Sequence, residues 1–283
     1  MTKERLWAAV GLVAGAGGWG VLWYPLRLSA ARGLGGLWLT TAVFAGAFLI
    51  GALSWARHRR AMRRPLVSAL LALLGGITNI AFVLAVLQDN VLRVTLLFYL
   101  APVWSLLFAR VFLKESINAA ALAGVGTALI GTVILLWRHA QPSLHPGDGL
   151  ALIAGLSFAG ANVLLRAAHD LPLETKALVT FAGVAALAGL SLAAHPAPWP
   201  TADTGVWVAA VAGGGLGVYL ITRLVQYGVS ALPVRQSAVL LLFEVIAAAF
   251  SQHGLLHRTL GAQAVFGALL IAIGATLVAA FEA

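Results

Sequence analysis

Glu244 lies in the stretch LLLFEVIAAAF, with only apolar residues on either side of it. A carboxyl group in such a run is costly unless it is hydrogen-bonded, paired, or turned toward a polar cavity. It therefore has two chemical uses: a structural bond inside a helix bundle, or the handling of a cationic substrate or proton. Arg223 and Arg235 are its candidate partners by position.

Other polar and aromatic residues recur at helical spacing around it. Tyr219, Arg223 and Gln226 stand at i, i+4 and i+7 and share one helical face. Gln236, Leu240, Phe243 and Glu244 form a comparable face. Asn79 with Phe82, and Asn162, are isolated polar points in other apolar runs. Trp19 and Trp23 share a face, and Tyr99 and Trp104 flank Pro102, whose missing N–H should kink its helix. The candidate substrate-binding set is thus Trp19, Trp23, Asn79, Phe82, Tyr99, Pro102, Trp104, Asn162, Tyr219, Arg223, Gln236 and Glu244. Mostly apolar walls with a few hydrogen-bonding groups suit a small amphipathic ligand. For Trp19, Tyr99 and Trp104, ordinary helix packing is the competing reading.

Other chemistry has little support. The chain has no cysteine, which removes disulfides and thiolate metal sites. The histidines at 58, 139, 145, 169, 195, 253 and 257 fall at segment ends, and the pair His253 and His257 is read as a surface coincidence. No glycine-rich phosphate loop is followed by lysine, and no paired acids or Ser/His arrangement shares one depth. The expectation is a protein that is not an enzyme, with no cofactor and no bound metal.

The elements that carry these residues are membrane-length. Hydrophobic residues make up 61% of the 283-residue chain and charged ones 10%, against roughly 45–50% and 25% in soluble domains. Runs near the ~20 residues that cross a hydrocarbon core fall at about 6–26, 35–55, 66–87, 91–111, 119–137, 148–168, 176–194, 205–225, 229–250 and 260–281. The connections are short; the longest polar one runs from Arg138 to Gly147 and holds no domain. The first run continues through Trp19, Trp23 and Tyr24 without a small-residue cleavage site, so a removable signal peptide is not expected.

The net charge of +9 reads as membrane orientation rather than nucleic-acid binding. With the N-terminus cytoplasmic, thirteen Lys and Arg fall inside and five outside, the run RHRRAMRR at 57–64 contributing most. That bias favours both termini inside. Trp38, Trp55, Trp137, Trp199 and Trp207 lie nearer segment ends, as an interfacial belt would.

The two halves repeat. ESINAAALAGVGTALIGTVILL at 115–136 matches RTLGAQAVFGALLIAIGATLVA at 258–279 with a shift of 143, placing Gly124 on Gly267 and Gly131 on Gly274. A shift of 139 aligns the segment ending in Arg27 with the one ending in Arg166, Trp19 opposite Phe158. Five spans is an odd number, so two copies in one chain sit inverted about an axis in the membrane plane. A binding site belongs near that axis. The small-residue pairs Gly11/Gly15 and Gly213/Gly217 are read as helix-packing sites. The fold class is an all-α polytopic membrane protein: ten transmembrane helices in two inverted five-helix repeats, residues 1–139 and 147–283, with cytoplasmic N- and C-termini.

GGWG at 17–20, LFYLAPVWSLLFARVFLKE at 97–115, GVGTALIG at 124–131 and GDGLALIAGLSFAGANVLLR at 147–166 resemble the EamA-type carriers of the drug/metabolite transporter superfamily. The resemblance implies a central cavity formed mainly by spans 1, 3, 4, 6, 8 and 9. It also implies alternating-access export of amino acids, aromatic or other neutral ones, or related metabolites across the bacterial inner membrane. The second copy departs from the first: Pro102 and Glu115 meet Glu244 or Val245 and His257 or Arg258. The expected partners are a small-molecule substrate, an amino acid by the resemblance, and the lipid bilayer, with no nucleic acid; a monomer is compatible with this plan. An importer, a channel and a noncatalytic scaffold are the alternatives.

Overall fold

Backbone amides in a hydrocarbon layer must be satisfied within their own segment, so long Leu-, Ala- and Gly-rich runs resolve into helices. The computed structural model describes residues 3–57, 64–88, 91–136, 145–256 and 261–280. Among these residues ten helices are long and apolar enough to cross a membrane. They are span 1, Lys3–Ala31; span 2, Gly36–Arg57; span 3, Pro65–Gln88; span 4, Arg93–Leu113; span 5, Ala119–Leu136; span 6, Pro146–Ala167; span 7, Leu173–Ala194; span 8, Thr204–Ala231; span 9, Val234–Leu255; and span 10, Ala262–Ala279. Residues 58–63 of the basic run, Trp137, residues 138–144 of the connection, and His257 with Arg258 lie outside the described residues.

Two boundaries differ from the hydropathy reading. Span 1 continues through Pro25 to Ala31 instead of ending near residue 26. The break between spans 8 and 9 falls at Leu232 and Pro233 instead of near residue 227. Pro233 has an extended ψ of 145° and no N–H to continue a helix. Gly228 is instead a contact point: a Cβ there would lie 2.5 Å from the Leu12 Cβ.

The helix pairings obey the inversion. Span 2 packs on span 7 and span 5 on span 10, each a pair of equivalent helices. Every other major contact comes twice: span 1 on span 8 matches span 6 on span 3, span 2 on span 8 matches span 7 on span 3, and span 1 on span 9 matches span 6 on span 4.

Glycines show the same rule at atomic scale. Gly124 faces Gly274, and Gly131 faces Gly267, where an added Cβ would lie 2.6 Å from the opposite carbonyl. Exchanging 124 with 267 and 131 with 274 maps one contact onto the other, as an isologous interface requires. A second set was not apparent in the sequence. Gly46 lies against the Val211 backbone and Gly215 against Gly46, while Gly183 lies against the Ala72 backbone and Gly76 against Gly183. These are equivalent contacts of spans 2 and 8 and of spans 7 and 3. Gly15 also packs tightly, since an added Cβ would lie 2.8 Å from Val225 Cγ2, but Gly213 and Gly217 face open space. The expected packing role of that last pair passes to their neighbours Gly214 and Gly215.

Spans 4 and 9 are both broken near their middles. Span 4 is helical over Val91–Phe98, turns at Tyr99 and Leu100, resumes over Ala101–Phe108, and ends in a π-helical turn at Ala109–Leu113. Span 9 is helical over Val234–Leu240, turns at Leu241 and Leu242, and resumes at Phe243–Leu256. The two turns are 142 residues apart, close to the repeat shift. Each is closed by i+3 bonds, Leu100 N to Leu97 O at 3.2 Å and Leu242 N to Val239 O at 3.0 Å.

Candidate functional site

The two broken helices meet span 6 around a small cavity. Its walls are Tyr99, Ala101, Pro102 and Ser105 of span 4, Phe158 of span 6, and Ala238, Leu241, Leu242 and Glu244 of span 9. The sequence explains the opening: Pro102 cannot donate to the Phe98 carbonyl, so span 4 loosens there. Span 9 has no proline and loosens at the equivalent turn. The interior leaves ≈ 10 Å³ for the centre of a water-sized sphere, room for about one water molecule.

Glu244 is the single acid on these walls, and no basic residue lines them. The Tyr99 hydroxyl faces its carboxyl group closely enough to interact with it. The two arginines expected as its partners are engaged elsewhere. Arg223 donates to Tyr219 Oη at 2.9 Å and to Glu174 Oε1 at 3.0 Å, and Arg235 donates to the Ser116 carbonyl at 3.3 Å. Their depths on spans 8 and 9 carry them toward the end of the bundle instead of the break.

Of the twelve residues singled out in the sequence, Tyr99, Pro102 and Glu244 come together at this cavity. Phe82 stands behind it through Phe98, whose ring centroid lies 5.3 Å from those of both Phe82 and Phe158. Asn162 is buried one turn beyond Phe158, and its Nδ2 has no partner among the described residues. Trp104 is half-buried with an unpartnered Nε1. The other six lie apart from the walls. Trp19 packs into two core clusters, Trp23 Nε1 donates to Ser251 Oγ at 2.9 Å, and Asn79 Nδ2 donates back to the Gly75 carbonyl at 2.9 Å. Tyr219 and Arg223 form their own network with Glu174, and Gln236 is buried near the start of span 9. Phe158 was missed as a wall residue, although its alignment with Trp19 in the repeat could have raised it.

The two ends of the bundle are built differently. Where spans 4, 6 and 8 end and spans 7 and 9 begin, polar bonds lace the helices together. Glu115 Oε2 accepts from Val234 N at 3.0 Å and Glu115 Oε1 lies 3.7 Å from Arg166 Nε. Arg166 donates to the Ser230 carbonyl at 3.0 Å. Lys176 is 1% exposed, and its Nζ donates to the Leu165 carbonyl at 3.1 Å and to Ser230 Oγ at 2.8 Å.

At the other end, spans 1, 2 and 8 leave a cleft of ≈ 210 Å³ lined by Leu26, Leu39, Ala210 and their neighbours. Leu26 and Ala210 correspond to Leu165 and Leu71 by the shift of 139, and Leu39 corresponds to Lys176 by the shift of 137 that relates Gly46 to Gly183. Leu71 and Leu165 are buried in one packed core cluster at the laced end. A leucine and a lysine therefore fill one junction, where alanine and leucine leave its counterpart open.

Lys176 carries no ion pair among the described residues, and burying a lone cation is costly. Lys176→Met is therefore expected to raise the melting midpoint of the purified protein by a few degrees, roughly 2–4 °C per kcal/mol gained. A lower midpoint would mean that the two hydrogen bonds outweigh the amine's desolvation.

Ten spans in two inverted halves, with broken helices meeting at a small cavity, define a multi-pass membrane transporter. The chain belongs to the EamA-like transporter family, whose profile matches residues 6–137 and again residues 145–280. A crystal structure of a protein with 22% sequence identity has the same fold, with a TM-score of 0.81 over 98% of each chain. No curated protein matches the sequence.

Proposed function

We propose that this transporter is a secondary carrier that moves a small amine-bearing metabolite, the class to which amino acids belong, outward across the bacterial inner membrane by alternating access. The observation that carries the reading is the inequality of the two equivalent junctions. One is filled by Leu71, Leu165 and Lys176, and the other is an open cleft at Ala210, Leu26 and Leu39. Inverted repeats that rock against each other interchange such states, opening the axis to one side and then to the other. The halves at 1–139 and 147–283 are the rocking units, and the cavity at Tyr99, Pro102 and Glu244 is the substrate point between them.

The thirteen-to-five distribution of basic residues supports cytoplasmic termini, with the laced junction inside and the cleft outside. The Tyr99-Leu100-Ala101-Pro102 segment also resembles that of the bacterial aromatic amino-acid exporter YddG; that closer likeness has no support beyond these residues.

Proteoliposomes offered a panel of aromatic and aliphatic amino acids and amines, with and without a proton gradient, test the reading. Saturable flux with counterflow is expected for at least one compound. Flux that rises linearly with concentration and shows no counterflow would make the protein a channel.

A further inference from the structure

The walls of the central cavity, which hold one acid and no base, point to a sharper substrate class. We infer that the site takes monocationic amines without a carboxylate, such as amino-acid amides or simple arylalkylamines, in preference to zwitterionic amino acids. The inference rests on the carrier reading and narrows its substrate.

The argument is one of charge and donors. Glu244 is the one carboxylic acid on the walls, no lysine, arginine or histidine lines them, and the other polar side chains are the hydroxyls of Tyr99, which faces it, and Ser105. A low-dielectric site with one uncompensated carboxylate is balanced by a ligand of net charge +1. The faces of Tyr99 and Phe158 reinforce that preference, because aromatic faces attract ammonium groups.

A zwitterion brings its own carboxylate, for which these walls provide no cation. The unpartnered donors on neighbouring turns are both neutral: Asn162 Nδ2, one helical turn from Phe158, and Trp104 Nε1, next to Ser105. A neutral amide donor suits a neutral acceptor such as an amide or ester carbonyl, and by itself compensates a second buried carboxylate poorly. The present interior, with space for about one water, matches an ammonium head; the ligand's body needs the turns at Leu100 and Leu241 to part.

Phenylalanine and phenylalaninamide are nearly equal in size and differ in that carboxylate. Purified full-length protein in proteoliposomes is expected to show a half-saturating concentration at least tenfold lower for the amide. Glu244→Gln should bring the ratio near one, and Glu244→Asp should restore most of it. Equal affinity for the two compounds in the wild type, or an amide preference that survives in Glu244→Gln, overturns the inference while leaving the carrier reading intact. Absence of saturable transport for every compound defeats the carrier reading itself. If Glu244→Gln fails to fold, the wild-type ratio alone decides.

Discussion

Gly46→Leu and Gly183→Leu should each destabilise the protein by about 3 kcal/mol, the upper part of the usual overpacking range, and by nearly the same amount. A Cβ at Gly46 would collide with the Val211 backbone, and one at Gly183 with the Ala72 backbone. Backbone cannot rotate aside as a side chain can, so spans 2 and 8, or spans 7 and 3, must separate. The control is built into the same chain. A Cβ added at Gly213 or Gly217 meets nothing within 4 Å, so Gly213→Leu and Gly217→Leu begin in open space, and leucine is favoured over glycine in a helix by up to ~1 kcal/mol. Melting midpoints in one detergent should fall for the first pair and hold or rise for the second. Wild-type midpoints for Gly46→Leu and Gly183→Leu would show that these helices are not in backbone contact.

Arg93→Ala should cost about 3–5 kcal/mol, the usual loss when one member of a buried ion pair is removed. Arg93 grips both oxygens of Asp148 through Nε and a terminal nitrogen, with both side chains 12% exposed. The bond ties the start of span 4 to the start of span 6. Asp148 also accepts from the His145 N–H at 3.0 Å, fixing the first turn of span 6. Removing Arg93 leaves that carboxylate buried without its cation. Arg93→Met combined with Asp148→Leu should recover most of the loss, short of the ~1 kcal/mol of the lost cap. Denaturant unfolding of the single and double variants measures this; a small loss in Arg93→Ala beside a larger one in the double variant would mean that the cap, not the charge pair, carries the stability.

The ten helices and their inversion were legible because hydrocarbon tolerates few alternatives to a long apolar helix. The Gly124/Gly267 and Gly131/Gly274 alignments were legible for the same reason as their contact, since close approach admits only small residues. The Gly46, Gly76, Gly183 and Gly215 contacts were hidden among the 31 glycines of the chain. Composition alone does not separate a glycine against backbone from one facing open space. At the candidate site, the depth of Glu244 and the aromatics flanking the proline at 102 were enough to bring Tyr99, Pro102 and Glu244 forward. The pairing of Glu244 with Tyr99 was not legible, because Arg223 and Arg235 are near Glu244 along the sequence while Tyr99 reaches it only through a turn in another helix. The Arg93–Asp148 and Glu115–Val234 bonds likewise join residues far apart in the chain, where spacing carries no signal.

The pairing of equivalent helices has a mechanical consequence. Phe44 of span 2 packs at a tilt of 52° against Phe181 of span 7, its counterpart by the shift of 137, with ring centroids 6.2 Å apart, and the glycine contacts of spans 5 and 10 likewise map onto themselves. A motion that exchanges the shapes of the two halves leaves such self-mapped contacts as they were. In the alternating-access motion proposed above, these two seams would be the fulcrum. Displacement would fall on the duplicated seams, 1–8 with 6–3, 2–8 with 7–3 and 1–9 with 6–4, where what one copy gains on opening the other returns on closing.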